Sequence, residues 1–167
     1  SARQIDRRLK DKKRQLKKRL YGRTKPGTLL KHHIPIKTDH WDVKAPGFAE
    51  MDTVAHCGHS ADGEFVHTVN QTDIFTTWVE SRAVLGKGER AVVAALDEMA
   101  GAFPFPMKGY DSDNGSEFMN WHLLRYCQQK GIQPTRSRPY KKDDNAHIEQ
   151  KNWTHVRKLF GWDRYDT

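Results

Sequence analysis

The sequence predicts an α/β fold in which a mixed β-sheet is flanked by helices. Three segments rich in Val, Thr and Phe follow one another between residues 48 and 85 and read as strands. Two helix-type segments then alternate with short strand-type segments between residues 89 and 138. The 167 residues are also enough for one domain with a buried core. Consecutive strands followed by alternating helices and strands are typical of a mixed sheet covered by helices.

Three consecutive strands make up the first half of the predicted sheet. Residues 48–57, FAEMDTVAHC, form the first strand, and residues 65–74, FVHTVNQTDI, form the second. Asp62-Gly63 between them is favourable turn chemistry and predicts a hairpin. Residues 78–85, WVESRAVL, supply the third strand.

Helices and short strands alternate in the second half. Residues 89–103 are Ala-rich with one apolar face and predict a helix that Pro104 closes. The remaining elements are, in order, a strand at 107–113, a helix at 116–131 stopped by Gly131, a strand at 132–138, and a helix from about 143 to 160 capped by Asp143 or Asp144. The first three strands and the two later ones give a five-stranded sheet.

The positive charge is confined to the N-terminus. The chain carries a net charge of +8, yet residues 1–25 hold 12 Lys or Arg against two acids, so the remainder is slightly acidic. We therefore divide the chain into a basic amphipathic helical arm at 1–25, a linker at 26–46 and a compact domain at 47–167. A basic arm on a near-neutral body favours a polyanionic partner such as DNA, although a bridge to another subunit or a solvated helix fits the composition as well.

Other features narrow the class of protein. The sequence contains no run of 18 apolar residues and no hydrophobic signal segment. Its two cysteines have no paired spacing, which excludes a disulfide framework and a Cys-rich zinc site. We expect a cytoplasmic protein. The chain starts with Ser-Ala rather than Met, and we expect it to be a piece of a longer protein.

Three carboxylates fall where a metal-dependent site could form. Asp52 lies within the first strand, where a charge must be paired or bind a metal. Asp113 ends a strand and is followed by an Asn-Gly turn, and strand ends are where ligands bind in such sheets. Glu149 shares one face of the last helix with Asn145 and Asn152. Hard oxygen ligands from separate elements suit Mg²⁺ and phosphoryl transfer.

Two neighbouring acids complicate the choice of Asp113. Asp111 lies two residues earlier and shares a strand face with Asp113, so periodicity alone does not separate the two. Glu117 falls at the predicted start of the following helix, where a carboxylate interacts well with exposed N–H groups. We expect Glu117 to act as a helix cap. The tryptophans Trp121 and Trp153 are expected in the core.

The blocks EMDTV, SDNGSEF and NAHIEQKNW resemble the three signature blocks of the retroviral-integrase catalytic core superfamily, which includes bacterial insertion-sequence transposases. The 35 residues between Asp113 and Glu149 match the spacing of that family's Asp-Asp-35-Glu motif. The similarity covers residues 47 to about 160 and is greatest to the insertion-sequence branch. It implies an RNase H-like fold. It also selects Asp113 over Asp111.

The resemblance implies a function. Asp52, Asp113 and Glu149 would hold two Mg²⁺ or Mn²⁺ ions and act as the catalytic triad for transposon-end cleavage and joining to target DNA. The implied partners are DNA and further copies of the chain. The implied location is the bacterial cytoplasm, at the nucleoid. Two alternatives remain open: a nuclease of the same superfamily that only hydrolyses, and a catalytically inactive module for DNA binding or assembly.

Basic and aromatic residues around the last helix, together with the arm, are the candidate DNA contacts. The loop ahead of the helix interleaves bases with an aromatic ring, a pattern suited to phosphates and a stacked base. The candidates are Arg136, Arg138, Tyr140, Lys141, Lys142, Asn145, Lys151, Arg157 and Lys158, and in the arm Arg7, Arg8, Lys12, Lys13 and Arg14.

Overall fold

A five-stranded mixed sheet forms the centre of the molecule. The computed structural model describes residue 30 and residues 33–36, 43–138 and 146–166. The strands are β1 (Phe48–Ala55), β2 (Val66–Asp73), β3 (Val79–Leu85), β4 (Gly109–Ser112) and β5 (Gln133–Arg136). The sheet has the order β3-β2-β1-β4-β5. Strand β2 pairs antiparallel with both β1 and β3, whereas β4 pairs in parallel with β1 and with β5. The predicted five-stranded mixed sheet is confirmed.

Helices cover both faces of this sheet. Helices α1 (Glu89–Ala102) and α2 (Trp121–Lys130) occur in the predicted order. The last helix comprises α3 (Ala146–Lys151), a π-helical segment at Asn152–Arg157 and a final turn, α4 (Lys158–Phe160). Its predicted beginning, at residues 143–145, lies outside the described residues.

Strand alternation assigns each face its own helices. On β1, Ala49 and Met51 are buried in the main hydrophobic core with α1 and α2. Helix α1 contributes an apolar stripe at one-turn spacing, consisting of Val92, Ala95, Leu96 and Met99. The intervening β1 residues, Glu50 and Asp52, point to the opposite face, where they meet the last helix. One face is therefore apolar, and the other carries polar side chains at the point where the last helix docks.

Helix α2 begins five residues later than the sequence predicts. Its N-cap is Asn120, whose side chain accepts a hydrogen bond from the Leu123 N–H at 2.9 Å. Residues 116–118 form a turn instead of helix, and the amides of Phe118 and Met119 both donate to the Gly115 carbonyl. The predicted stop is confirmed, since Gly131 adopts the left-handed conformation with φ of 68°.

Two tryptophans expected in the core are on the surface, so that prediction was wrong. Trp121 is 47% exposed and Trp153 is 52% exposed. Trp121 is the first residue of α2, ahead of the buried stripe that begins at Leu123. Trp153 lies between the buried positions Ile148 and Val156 and faces away from both.

Part of the segment ahead of the core packs on the domain. Leu30 and Ile34 are buried against Met119 and Leu124 in a small second apolar cluster. The predicted basic arm at 1–25 lies outside the described residues, as does most of the predicted linker. In the part of the chain that the structure describes, no helix has the length and apolarity needed to cross a membrane.

Candidate active site

The parallel pairing of β1 with β4 brings Asp52 and Asp113 together. Met51 pairs with Ser112 in the register between these strands. The next step along the same register is Asp52 beside Asp113, at the point where β4 ends. Each carboxylate then lies within the electrostatic influence of its neighbour, and Asp113 contributes to the shifted pKa of Asp52. Two carboxylates that are 61 residues apart in sequence thus share one end of the sheet.

Hydrogen bonds hold both oxygens of Asp52. The Thr53 N–H donates to Oδ1 at 2.7 Å, and the Asn152 side-chain amide donates to Oδ2 at 2.7 Å. Burial, and after it the Asp113 carboxylate, raise the pKa of Asp52 to about 7, against these two bonds, which lower it. Asp52 is therefore an oriented carboxylate whose charge is poorly compensated within the protein alone.

Asp113 is held by the turn that follows it. The Gly115 N–H donates to Asp113 Oδ1 at 2.8 Å. Burial raises the pKa of Asp113, and the Glu117 carboxylate adds to the effect. A Cβ added to Gly115 would lie 2.8 Å from both Asp113 Oδ1 and Glu117 Oε2. Glycine at position 115 therefore leaves room for the two carboxylates to approach each other.

Glu117 is not a helix cap, and that prediction was wrong. Helix α2 starts four residues later and Asn120 caps it. Glu117 is only 2% exposed, and its carboxylate lies 3.4 Å from the Lys87 ammonium. It also accepts a hydrogen bond from the Thr53 hydroxyl at 3.2 Å. Lys87 lowers the pKa of Asp113, so the ion pair places one cation beside the acidic site.

Glu149 lies on α3 with an exposed side chain. Hydrogen bonds tie the helix to β1 on both sides of it: the Ile148 N–H donates to Glu50 Oε2 at 2.9 Å, and Asn152 donates to Asp52. In the described ranges, no three His, Cys, Asp or Glu side chains are close enough together to hold a metal ion. The structure thus brings Asp52 and Asp113 together, and Glu149 does not form a cluster with them.

The residues present suit a divalent cation. The Asp52–Asp113 pair offers hard carboxylate oxygens, the ligands that Mg²⁺ and Mn²⁺ prefer. Burial raises both pKa values, and the Asp113 carboxylate adds to the shift of Asp52 while the Glu117 carboxylate adds to that of Asp113, which indicates that neither negative charge is fully compensated. Asp52 and Asp113 are the residues that would hold such an ion.

The candidate DNA contacts have different surroundings. Arg136 is buried, and its guanidinium donates to the Ile34 carbonyl at 3.0 Å and to Asn114 Oδ1 at 3.2 Å. Arg157 donates to the Ala55 carbonyl at 2.9 Å and stacks 4.2 Å from the centre of the Trp162 ring.

The other candidates divide by exposure. Arg138 and Lys158 are exposed, and Lys151 is half-buried. The loop candidates Tyr140, Lys141, Lys142 and Asn145 and the five arm residues lie outside the described part of the chain.

Sequence reasoning missed several polar residues beside Asp52. Asn70 on β2 and Ser81 on β3 connect through Asn152 to Asp52, and Glu50 anchors α3. The available signal was the run of polar residues, VNQTD, inside a strand whose residues are nearly all buried. Buried amides in a strand need hydrogen-bond partners.

The fold and this acidic strand-end site together define the class of protein. A family profile described as "Integrase core domain" matches residues 42–142, which is more than half of the chain. The chain belongs to this family, which has the polynucleotidyl transferase fold. It is 43% identical over 136 residues to the uncharacterized protein y4rM of Sinorhizobium fredii, strain NBRC 101917 / NGR234. That match covers 81% of the chain and 39% of y4rM, so the chain spans well under half of this relative.

Solved integrase structures share the fold. The catalytic core domain of BIV integrase superposes with a TM-score of 0.53 at 16% identity, over 65% of this chain and 66% of that one. A chain of the simian T-cell lymphotropic virus intasome, in complex with PP2A regulatory subunit B56 gamma, gives a TM-score of 0.60 at 15% identity. It covers 83% of this chain and 44% of the other. The predicted RNase H-like fold is confirmed.

Proposed function

We propose that this chain is the catalytic core of a bacterial DNA transposase that acts at the nucleoid. It would cut transposon ends and join the freed 3′-hydroxyl to target DNA. The observation that carries the proposal is the Asp52–Asp113 pair, oriented by hydrogen bonds and short of positive charge. Membership of the integrase core family supports the reaction class. The similarity to insertion-sequence blocks favours transposition.

Each residue of the site has a proposed role. Asp52 and Asp113 would bind divalent cations, and Glu149 would complete the ligand set, for one ion or for two. Two bound ions would supply activation of the attacking hydroxyl and stabilisation of the leaving oxygen in an in-line displacement. The Thr53 amide and Asn152 hold Asp52 in one orientation, and the Gly115 amide holds Asp113, so the ligand oxygens are preorganised.

DNA and further copies of the chain are the proposed partners. The intasome whose chain shares this fold is, by name, an assembly, which supports oligomerisation on DNA. Phosphates would be bound by the exposed residues Arg138 and Lys158 near the last helix. The loop at 139–145 and the basic arm would extend this contact surface.

A joining assay tests the proposal. The chain is incubated with labelled transposon-end DNA, a target plasmid and Mg²⁺ or Mn²⁺, beside the variant Glu149→Gln. We expect joined products from the wild type and at least a roughly 10³-fold slower reaction from the variant, because a metal ligand is lost. Gln129→Glu, at an exposed position on α2, serves as a control for a surface substitution and should join normally.

The products distinguish the alternatives. Hydrolysis without joining would replace the proposal with a nuclease function. Metal-independent binding without any product would identify a DNA-binding or assembly module. Equal joining by wild type and Glu149→Gln would remove Glu149 from the ligand set.

Deleting residues 1–25 should weaken DNA binding and flatten its salt dependence. The arm holds 12 of the 29 basic residues, and each phosphate contact adds about 0.9 to the slope of log K against log salt. Fluorescence anisotropy of labelled duplex DNA at several NaCl concentrations measures both quantities. The matched variant changes Arg7, Arg8, Lys12, Lys13 and Arg14 to Gln and keeps the chain length. An unchanged slope in both proteins would mean that the arm contacts protein instead of DNA.

A further inference from the structure

A row of polar side chains crosses three strands on the face that meets the last helix. Asp52 on β1 pairs with Asn70 on β2, and Asn70 pairs with Ser81 on β3. Directly paired residues point to the same face, with their Cβ atoms about 5 Å apart. Asn152, the first residue of the π-helical segment, reaches this row from the helix above.

The hydrogen bonds of this row all point the same way. Ser81 Oγ donates to Asn70 Oδ1, and Asn70 Nδ2 donates to Asn152 Oδ1 at 2.8 Å. Asn152 Nδ2 in turn donates to Asp52 Oδ2 at 2.7 Å. An ionised Asp52 can only accept, so Asn152 must present its NH₂ group, which leaves its carbonyl to accept from Asn70. Because the Asn70 amide donates to Asn152, its carbonyl is the group that accepts from the Ser81 hydroxyl. Hydrogen bonds aligned in this way polarise one another.

Asn70 is an unusual residue for its position. It is 0% exposed at the centre of a strand, where an apolar side chain would pack without any polar group to satisfy. Its carbonyl and its amide both have partners in the row. The cost of burying the amide is therefore offset by bonds that lead to Asp52.

We propose that Asn70 is a positioning residue of the candidate active site. Through Asn152 it fixes the orientation of Asp52 and the docking of the helix that carries Glu149. Glu149 lies between two attachment points, because Ile148 bonds to Glu50 and Asn152 lies one helical turn further on. The catalytic consequence rests on the proposed function, whereas the docking of the helix does not depend on it.

Two measurements on the full chain with Asn70→Leu test this role without DNA. Leucine is close to asparagine in shape but makes none of its hydrogen bonds. We expect hydrogen–deuterium exchange at residues 149–153 to be about tenfold faster, and Mn²⁺ binding followed by electron paramagnetic resonance to be about tenfold weaker. In joining assays kcat should fall by a similar factor while the KM for DNA stays unchanged.

Thr72→Val is the matched control. Thr72 is two residues further along β2 on the same face and is equally buried, and within the described part its hydroxyl has no hydrogen-bond partner. Valine has the same shape. Hydrogen–deuterium exchange, Mn²⁺ affinity and joining by Thr72→Val should match the wild type. This control distinguishes loss of the hydrogen-bonded row from a general change in the packing of β2.

A second pair of variants decides the matter if Asn70→Leu fails to fold. Ser81→Ala removes the terminal donor from the edge strand and should shift exchange and Mn²⁺ affinity in the same direction by a smaller factor. Ser81→Thr keeps the hydroxyl and should restore both. Wild-type values in a folded Asn70→Leu would overturn the proposal, and so would wild-type values in Ser81→Ala if Asn70→Leu does not fold. A wild type that joins no DNA would refute only the transposase function, since exchange at 149–153 still reports on Asn70.

Discussion

Replacing Asp113 by Asn should abolish cleavage and joining while making the metal-free protein more stable. Activity should fall by at least about 10³-fold, because an amide is a poor ligand for a hard cation. Stability should rise because the charge of Asp113 is disfavoured by burial and by the Glu117 carboxylate. The side-chain carbonyl of the introduced asparagine can still accept the Gly115 N–H that now bonds to Oδ1. We expect a gain of about 0.5–2 kcal/mol in the free energy of unfolding.

Urea denaturation at pH 8 with EDTA measures this gain, and the joining assay measures the loss. Asp97→Asn is the matched control. Asp97 is an exposed acid on α1 that bonds to Lys130 at 2.8 Å, away from the strand ends. The Asp97→Asn substitution should leave activity unchanged and should not raise the free energy of unfolding. An Asp113→Asn protein that is both active and less stable would contradict the assignment of Asp113 as a strained metal ligand.

The metal-free protein should lose stability as the pH rises from about 4 to about 7. Folded Asp52 keeps its proton up to a pKa of about 7, whereas the unfolded chain releases it near the ordinary value of 3.8. The native state thus binds more protons in this window, and the free energy of unfolding falls as pH increases. The stability contributed by the Asp52 carboxyl is fully present below about pH 4 and is lost by about pH 7. Above pH 7 this carboxyl no longer makes the stability depend on pH. We expect roughly 2–4 kcal/mol from this carboxyl.

Comparison with Asp52→Asn isolates the contribution from those of other acids. The difference in unfolding free energy between wild type and variant should change by this amount between pH 4 and pH 7 in EDTA. Adding Mn²⁺ above pH 7 should restore wild-type stability by about 2.7 kcal/mol at 100 times its Kd, and should not affect the variant to that extent. A difference that is flat across the window would show that Asp52 titrates normally.

Local sequence patterns were sufficient to predict the strands and the order of the elements, and they marked Asp52 and Asp113 as candidate carboxylates. Strands β1, β2 and β3 carry β-branched residues between turn signals, whereas β4 contains none and was marked by its position before the Asn-Gly turn. The family spacing then selected Asp113 over Asp111. The structure gives Asp111 a different role, since it is buried and accepts the Thr135 hydroxyl at 2.6 Å.

Other features depend on contacts that local patterns do not contain. Glu117 looked like a cap because the helix was predicted to start too early, and its partners Lys87 and Thr53 are 30 and 64 residues away. Asn70 and Ser81 acquire their role from strand register, which sets which residues lie opposite each other. Exposure of Trp153 follows from the rotation of the last helix about its axis, which its contacts with β1 set.

The bond between Asn152 and Asp52 also bears on the biosynthesis of the protein. These residues are 100 positions apart, and Asp52 belongs to the first of the five strands of the sheet. Proteins are synthesised from the N-terminus at about 5–20 residues per second, so Asp52 is made roughly 5–20 s before Asn152. A nascent chain therefore carries Asp52 and Asp113 before the helix whose Asn152 binds Asp52 has been made. Under the proposed function, the site would be incomplete and unable to cut DNA until this helix has been synthesised.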